Sequence, residues 1–270
     1  MADLTREEIK KMARARQSFS GLDLSGLDLS KMRLGGADFT GAKLDGVSFE
    51  CSFLIGSVFI KASLNNVSLS GAEMPGARFW RAEMEEGNLA GANLVEANLD
   101  EANLQGADFT EAKVNRASVR QANLLGAVMK DTEMQDSVFY GTNLGGVNFE
   151  GASLKGSKFI GTNLFHARFV HSTLLDAGME EADMTNAVFD TCNLRFVKMI
   201  RCVLDNSYFV KSKLYRTIIR ECKSKSFSAR ELDLSPVGDN PGRENARNLE
   251  ELVDLLGKTG GAEVSFPVCS

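Results

Sequence analysis

Histidine is almost absent from this 270-residue chain, with two copies in all. That leaves little material for metal sites or for catalysis built on imidazole. No apolar run approaches the roughly 18 residues that a membrane-spanning helix needs, so no membrane partner is expected. Residues Met1–Lys10 are mostly charged and lack the apolar centre of a secretory signal. The five cysteines are odd in number and unclustered. They argue against a secreted disulfide framework and for a reducing, cytoplasmic setting; export by a signal-independent route stays open. With 43% hydrophobic residues and a net charge of −5, the composition excludes disorder or a collagen-like fibre for the bulk of the chain.

What the chain does have is a repeat. Stepping five residues at a time from Phe19 to Ile219 lands on 41 positions, and each is Leu, Phe, Met, Val or Ile. Ser224 ends that run. Two residues before these central positions sits something small: Ala at 37, 42, 62 and 72, Ala at every fifth residue from 92 to 127, then Ser137, Thr142, Ala152 and Ser157. Two residues after the centre glycine recurs, and 16 of the 25 glycines share this phase. Ala92-Asn93-Leu94-Val95-Glu96 shows the unit clearly.

A period of five fits neither a helix nor a strand. In a helix such residues would scatter around the axis, and in a strand they would change face at every step. A chain that turns a corner every five residues keeps the small and the large residue pointing inward, with glycine at the corners where unusual φ is least costly. Columns 20 residues apart support four corners per coil. Phe19, Phe39, Phe59, Phe79, Phe139 and Phe159 share one column, while Phe49, Phe109, Phe149, Phe169, Phe189 and Phe209 share the column ten residues on. The two remaining columns have no phenylalanine at the centre. Opposite sides of a four-sided coil would show this alternation.

At this point residues 18–222 resemble the pentapeptide-repeat proteins, whose motif is Ala-(Asp/Asn)-Leu-x-x. Leu22, Leu27, Met32, Val47, Cys192, Val197 and Cys202 depart from it by replacing Ala. The resemblance implies an all-β solenoid, a right-handed quadrilateral β-helix of about ten four-sided coils. Each coil of such a rod touches only its neighbours, so the ends need caps.

The organisation expected is a capping helix within 1–17, the β-helix over 18–234, a linker over 235–243 and an amphipathic helix with a tail over 244–270. Thr5 and Glu8 fit a capping box, Leu4 and Ile9 fit the hydrophobic staple, and Ile9, Met12 and Ala13 give an apolar stripe for a helix of about 5–16. Two prolines and two glycines mark Ser235–Gly242 as a linker. Leu249, Leu252, Val253 and Leu256 have helical spacing and suit either a C-terminal cap or a homodimer contact. Cys192, Cys202 and Cys222 occupy the small inward position and read as apolar filler; Cys51 and Cys269 read as exposed or half-exposed thiols.

No catalytic, cofactor-binding or metal-binding constellation emerges. His166 and His171 fall on successive corners, too far apart to share a metal. The many Asp and Asn residues recur at outward positions without a nucleophile or phosphate loop beside them. Gly35-Gly36 and Gly145-Gly146 lack the strand–loop–helix setting of a nucleotide cradle. The chain therefore reads as a non-enzyme, and its surface carries the information. Glu83, Glu85, Glu86, Glu96, Asp100, Glu101, Asp108 and Glu111 form an acidic stretch without a base, whereas Arg195 to Arg230 holds ten bases against Asp205 and Glu221. Val58, Ile60, Arg78, Trp80, Val138, Tyr140, Ile160 and Ile200 flank the first phenylalanine column and read as a partner-binding face. Asn103, Asn123, Asn143 and Asn163 form an outward ladder between rungs.

The leading expectation is a rigid, non-enzymatic scaffold whose partner is another protein. Some pentapeptide-repeat proteins mimic duplex DNA and shield gyrase; the acidic stretch favours that alternative, while the basic block and modest net charge oppose it. A weaker resemblance rests on Leu4–Glu8 followed by Ser18–Ser30, which are similar to the start of pentapeptide proteins associated with bacterial type VI secretion. It implies an accessory or cargo-linked factor of a secretion system. Direct binding of nucleic acid through the basic block is disfavoured, with only Tyr208 and Tyr215 to help it.

Overall fold

The computed structural model of the protein describes residues 4–224 and 226–233. The expected C-terminal helix, with Leu249, Leu252, Val253 and Leu256, lies outside the described residues, as does Cys269. The chain begins with α1 (Arg6–Arg14), where both halves of the Thr5–Glu8 capping box form. Ile9 is fully buried and Leu4, Met12 and Ala13 pack against the core. The helix is tied down from outside as well. Arg6 donates to the carbonyl oxygens of Asp28 and Ser30 and pairs with the Asp28 carboxylate at 2.9 Å.

From Phe19 onward the backbone winds into a right-handed, four-sided β-solenoid. Every inter-coil pairing is parallel and joins residues 20 apart. A single ladder runs in ten such steps from Asp23 through Asn103 to Lys223. At the roughly 4.8 Å spacing of paired strands, ten steps make a rod about 50 Å long. The ladder bonds are short and regular: the Phe19 amide donates to the Asp38 carbonyl at 2.8 Å, and the Lys43 amide to the Leu22 carbonyl at 2.9 Å.

All 41 central residues are buried, none more than 3% exposed. The two phenylalanine columns stack as the 20-residue spacing requires. Phe59 and Phe79 lie 4.8 Å apart and nearly parallel, as do Phe139 and Phe159 at 4.9 Å. Phe169, Phe189 and Phe209 continue the opposite stack. Edge contacts such as Phe39–Phe49 at 5.7 Å and 71° join the columns across the interior, an arrangement that the ring quadrupole favours.

The corners carry the strain. Positive φ occurs in 16 glycines and 27 other residues, all on one five-residue phase between Arg16 and Glu231. Along most of the rod the corner is a hydrogen-bonded β-turn: the Leu22 amide donates to the Phe19 carbonyl across Ser20 and Gly21. A left-handed third residue is what this kind of turn requires. At Gly151 a side chain would meet a second obstacle, because an added Cβ would lie 2.0 Å from Asp131 Oδ1.

From Val138 on one face, and from Arg168 on the opposite one, the pairings become continuous strands. One sheet runs β1 (Val138–Tyr140), β2 (Lys158–Ile160), β4 (Gly178–Glu180), β6 (Lys198–Ile200) and β8 (Ile218–Arg220). The other runs β3 (Arg168–Val170), β5 (Val188–Asp190), β7 (Ser207–Val210) and β9 (Phe227–Arg230). No strand begins with Asn or Asp. Where those residues precede the centre, their side chains often accept the backbone N–H two residues on, as Asp38 does from Thr40 and Asn163 from Phe165. That local bond competes with an extended ladder. Val, Ile and Tyr at the flanking positions suit a pleated surface instead.

Opening a corner frees the central carbonyl, and the inward small residue answers with its own donor. Thr142 Oγ1 donates to the Val119 carbonyl, Ser212 to that of Phe189 at 3.1 Å and Cys202 to that of Met179 at 3.1 Å. The buried cysteines are therefore more than apolar filler, since their thiols stand where Ser and Thr stand in neighbouring rungs. Burial pushes the Cys192 thiol up to about 11, so it stays protonated at neutral pH.

Candidate interaction surface

The alternation of inward and outward residues fixes what the rod can offer to a partner. On each face two residues per coil point outward, one on either side of the buried centre. The face over the first phenylalanine column carries the sheet β1–β2–β4–β6–β8, and all eight residues expected for a partner face lie on it. The register brings Val58 beside Arg78, and Tyr140 beside Ile160. It does not unite them into one patch. Between Trp80 and Tyr140 lie Asp100 and Arg120, and Asp100 Oδ1 is occupied by Ser118 Oγ at 2.6 Å and the Arg120 amide at 2.9 Å.

Trp80 is half-buried and held by its neighbours. Its indole N–H donates to Glu101 Oε1 at 3.1 Å, with the Arg81 guanidinium 4.4 Å from the ring centroid and Lys61 Nζ at 5.5 Å. Arg81 also bonds Glu101 at 2.6 Å, and the hydrogen bonds from Arg81 and Trp80 hold the Glu101 carboxyl below its ordinary range. This cluster fastens two rungs together and leaves the indole little freedom for a ligand.

The second patch is open. Tyr140 is 52% exposed. With Arg120, Val138, Lys158 and Ile160 it lines a shallow groove of about 370 Å³. Arg120, Lys158 and Lys198 are exposed and have no carboxylate partner among the described residues. Ile200 and the 46%-exposed Ile218 extend the apolar line, interrupted by Glu180. The result is an apolar strip edged by three cations.

The acidic stretch is more mixed in space than in sequence. Glu101 pairs with Arg81 at 2.6 Å and Glu96 with Arg116 at 2.9 Å, each base one coil away. Glu83 and Glu85 accept from Asn103 Nδ2 at 3.1 and 2.6 Å. Asn123, Asn143 and Asn163 continue this bond chain, each donating to the asparagine before it. A carboxylate can only accept, so Glu83 sets the direction of the whole amide ladder. In the basic block Arg201 pairs with Glu181 and Arg195 with Asp233.

Other residues escape a reading by composition. Phe53 and Ile55 are 45% and 55% exposed, with Arg33 over the Phe53 ring, and Leu125 and Phe165 flank the Asn ladder. In the sequence they stand out only as apolar residues at outward positions of the 20-residue columns. His166 and His171 sit at positive-φ corners as expected, and among the described residues no cluster of His, Cys, Asp and Glu could hold a metal ion. Among the same residues no helix is long and apolar enough to cross a membrane.

A uniform interior, left-handed corners on a five-residue phase and parallel rungs 20 apart define a quadrilateral β-helix. The chain belongs to the pentapeptide-repeat family: pentapeptide-repeat models match over residues 18–50, 42–81, 53–90, 77–116 and 88–126, and a pentapeptide repeat region over 132–209. Among solved structures it is similar to HetL, a pentapeptide repeat protein involved in heterocyst differentiation regulation from the cyanobacterium Nostoc sp. strain PCC 7120. That likeness is at 23% identity and TM-score 0.60, covering 82% of this chain and 97% of HetL. It also matches a trypsin-treated variant of QnrB1, a plasmid-mediated fluoroquinolone resistance protein, at 17% identity and TM-score 0.45, covering 87% of this chain and 97% of that one. No curated protein matches the chain.

Proposed function

We propose that this protein is a non-enzymatic interaction scaffold, a rigid rod that binds another protein along the face running from Arg120 to Ile218. The observation that carries this reading is Tyr140, half exposed in a groove with Ile160 beneath it and Arg120 and Lys158 at its edges. An amphipathic aromatic flanked by unpaired cations is the kind of residue on which binding energy concentrates, and a stiff sheet offers it with little ordering cost. A DNA-mimic reading is weaker, because bases one coil away interrupt the acidic stretch at Glu96 and Glu101.

The test is a cross-linking survey with the intact protein, Tyr140→Asp and, as a control, Val128→Asp on the opposite face. The expected result is a protein partner retained by the parent and the control and lost by Tyr140→Asp. A partner set indifferent to Tyr140 would remove this face from consideration.

A further inference from the structure

The cationic strip has a complement within the same polypeptide. We propose that residues 249–256, carried by the C-terminal segment, dock in cis on the strip formed by Arg120, Tyr140, Lys158, Ile160, Lys198 and Ile200, and thereby compete with an outside partner. This rests on reading that face as the binding surface.

Three observations support the match. The first is chemical. Residues 249–256 read Leu-Glu-Glu-Leu-Val-Asp-Leu-Leu, with three acids among five apolar residues. The strip presents Arg120, Lys158 and Lys198, without a carboxylate partner among the described residues, beside Tyr140, Ile160 and Ile200, with Glu180 its only acid between Arg120 and Lys198. At the helical period of the sequence, Leu249, Leu252, Val253 and Leu256 fall on one side, with Glu250 next to it and Glu251 and Asp254 towards the far side. Apolar residues then meet the groove, and Glu250 beside them is the carboxylate placed first to meet Lys158 or Lys198.

The second observation is direction. Asp233 bridges to Lys213 on the face that precedes the strip in coil order. A coil continued past Asp233 by the same five-residue rule would turn next onto the strip's face, beyond Ile218 and Arg220. The third is reach. Residues 234–248 can span about 50 Å when extended. The groove at Tyr140 lies four rungs back from Arg220, about 19 Å at the spacing of paired strands. The linker covers that distance with slack.

The experiment is zero-length carbodiimide cross-linking of the full-length protein at low micromolar concentration, using an equal mixture of light and heavy isotope chains, with the links mapped by mass spectrometry. The expected result is that Glu250, Glu251 or Asp254 joins Lys158 or Lys198 within single chains, with yield falling several-fold in 1 M salt as exposed ion pairs are screened. Lys158→Glu/Lys198→Glu loses these links, and adding Glu250→Lys/Glu251→Lys/Asp254→Lys restores them with reversed polarity. Links confined to Lys211, Lys213 or Lys223 would mean a cap on the last coils. Links between light and heavy chains would mean a second copy. Either result, or the absence of tail links, overturns the proposal. The partner survey with Tyr140→Asp is independent of these outcomes, so the surface reading and the tail reading fail separately.

Discussion

The two halves of the rod obey one interior rule and different corner rules. Up to residue 137 the faces are joined by isolated bridges, and among the described residues every positive-φ glycine lies at or before Gly161. From His166 to Glu231 the left-handed corners are Asp, Glu, Asn, Lys, Arg, His, Thr or Phe. Those coils carry β3 to β9, while β1 and β2 lie among the last glycine corners. The difference shows that glycine is a convenience at the corner and not a condition of the fold. What compels the backbone to turn is the obligation to bury a large residue every fifth place. A non-glycine residue in the left-handed region costs on the order of 1 kcal/mol, which the coils from His166 onward tolerate at corner after corner.

The largest expected effect tests the shared interior. Phe59→Ala and Phe159→Ala each remove a ring stacked at about 5 Å on a neighbour. Each should cost about 3–5 kcal/mol, measured by denaturant unfolding. A cost much smaller in one half would mean that the halves do not share a core rule.

Corner exchanges come next. Gly151→Ala places a methyl against Asp131 at a left-handed position and should destabilise by about 1–2 kcal/mol. Thr191→Gly, at φ 56°, should be stabilising or neutral despite glycine's larger unfolded-state entropy, because a β-branched residue is strained there. Opposite signs at these two corners are the outcome that calorimetry should give. A loss of stability in Thr191→Gly as large as that in Gly151→Ala would defeat the comparison.

A finer probe lies inside the second half. Thr142 Oγ1 donates to the Val119 carbonyl, whereas the buried Thr162 Oγ1 has no partner. Thr142→Ala should cost about 1 kcal/mol or more, and Thr162→Ala should be neutral or stabilising. Equal losses in thermal melts would show that these hydroxyls do not substitute for the missing turn bond.

The smallest effect concerns pH and the first coils. Hydrogen bonds from Ser25, Ser30 and Thr40 hold Asp23, Asp28 and Asp38 below the ordinary value of 3.8. Carboxyls depressed in the folded state stabilise it fully above their unfolded value, and that contribution disappears as pH falls through the lower folded values. Hydrogen exchange should therefore quicken in coils 19–40 ahead of coils 180–220 as the solution is acidified below about 4. Uniform loosening would remove the local explanation.

Much of this architecture was legible because it depends on residues a fixed distance apart. The 41 central positions, the corner glycines, the Thr5–Glu8 cap and the Asn ladder all follow from counting in fives and twenties. The surface was less so. Trp80 is an outward tryptophan in the sequence, and only its contacts with Lys61, Arg81 and Glu101 show it to be a clasp between rungs. The acidic stretch seemed free of bases because Arg81 and Arg116 lie just outside it in sequence yet beside it in space. The onset of strands at Val138 left no mark on the period, since it reflects a competition between side-chain acceptors and the ladder.

The separation of inward and outward positions has an evolutionary consequence. Two places in each set of five specify the shape, and the remaining places are nearly free of that duty. A lineage can redraft the exterior one column at a time, changing charge or greasiness at a pitch of one rung, while the hidden text stays fixed. Molecules with almost superimposable interiors would then be expected to address unrelated listeners, and likeness of shape alone would say little about whom they address.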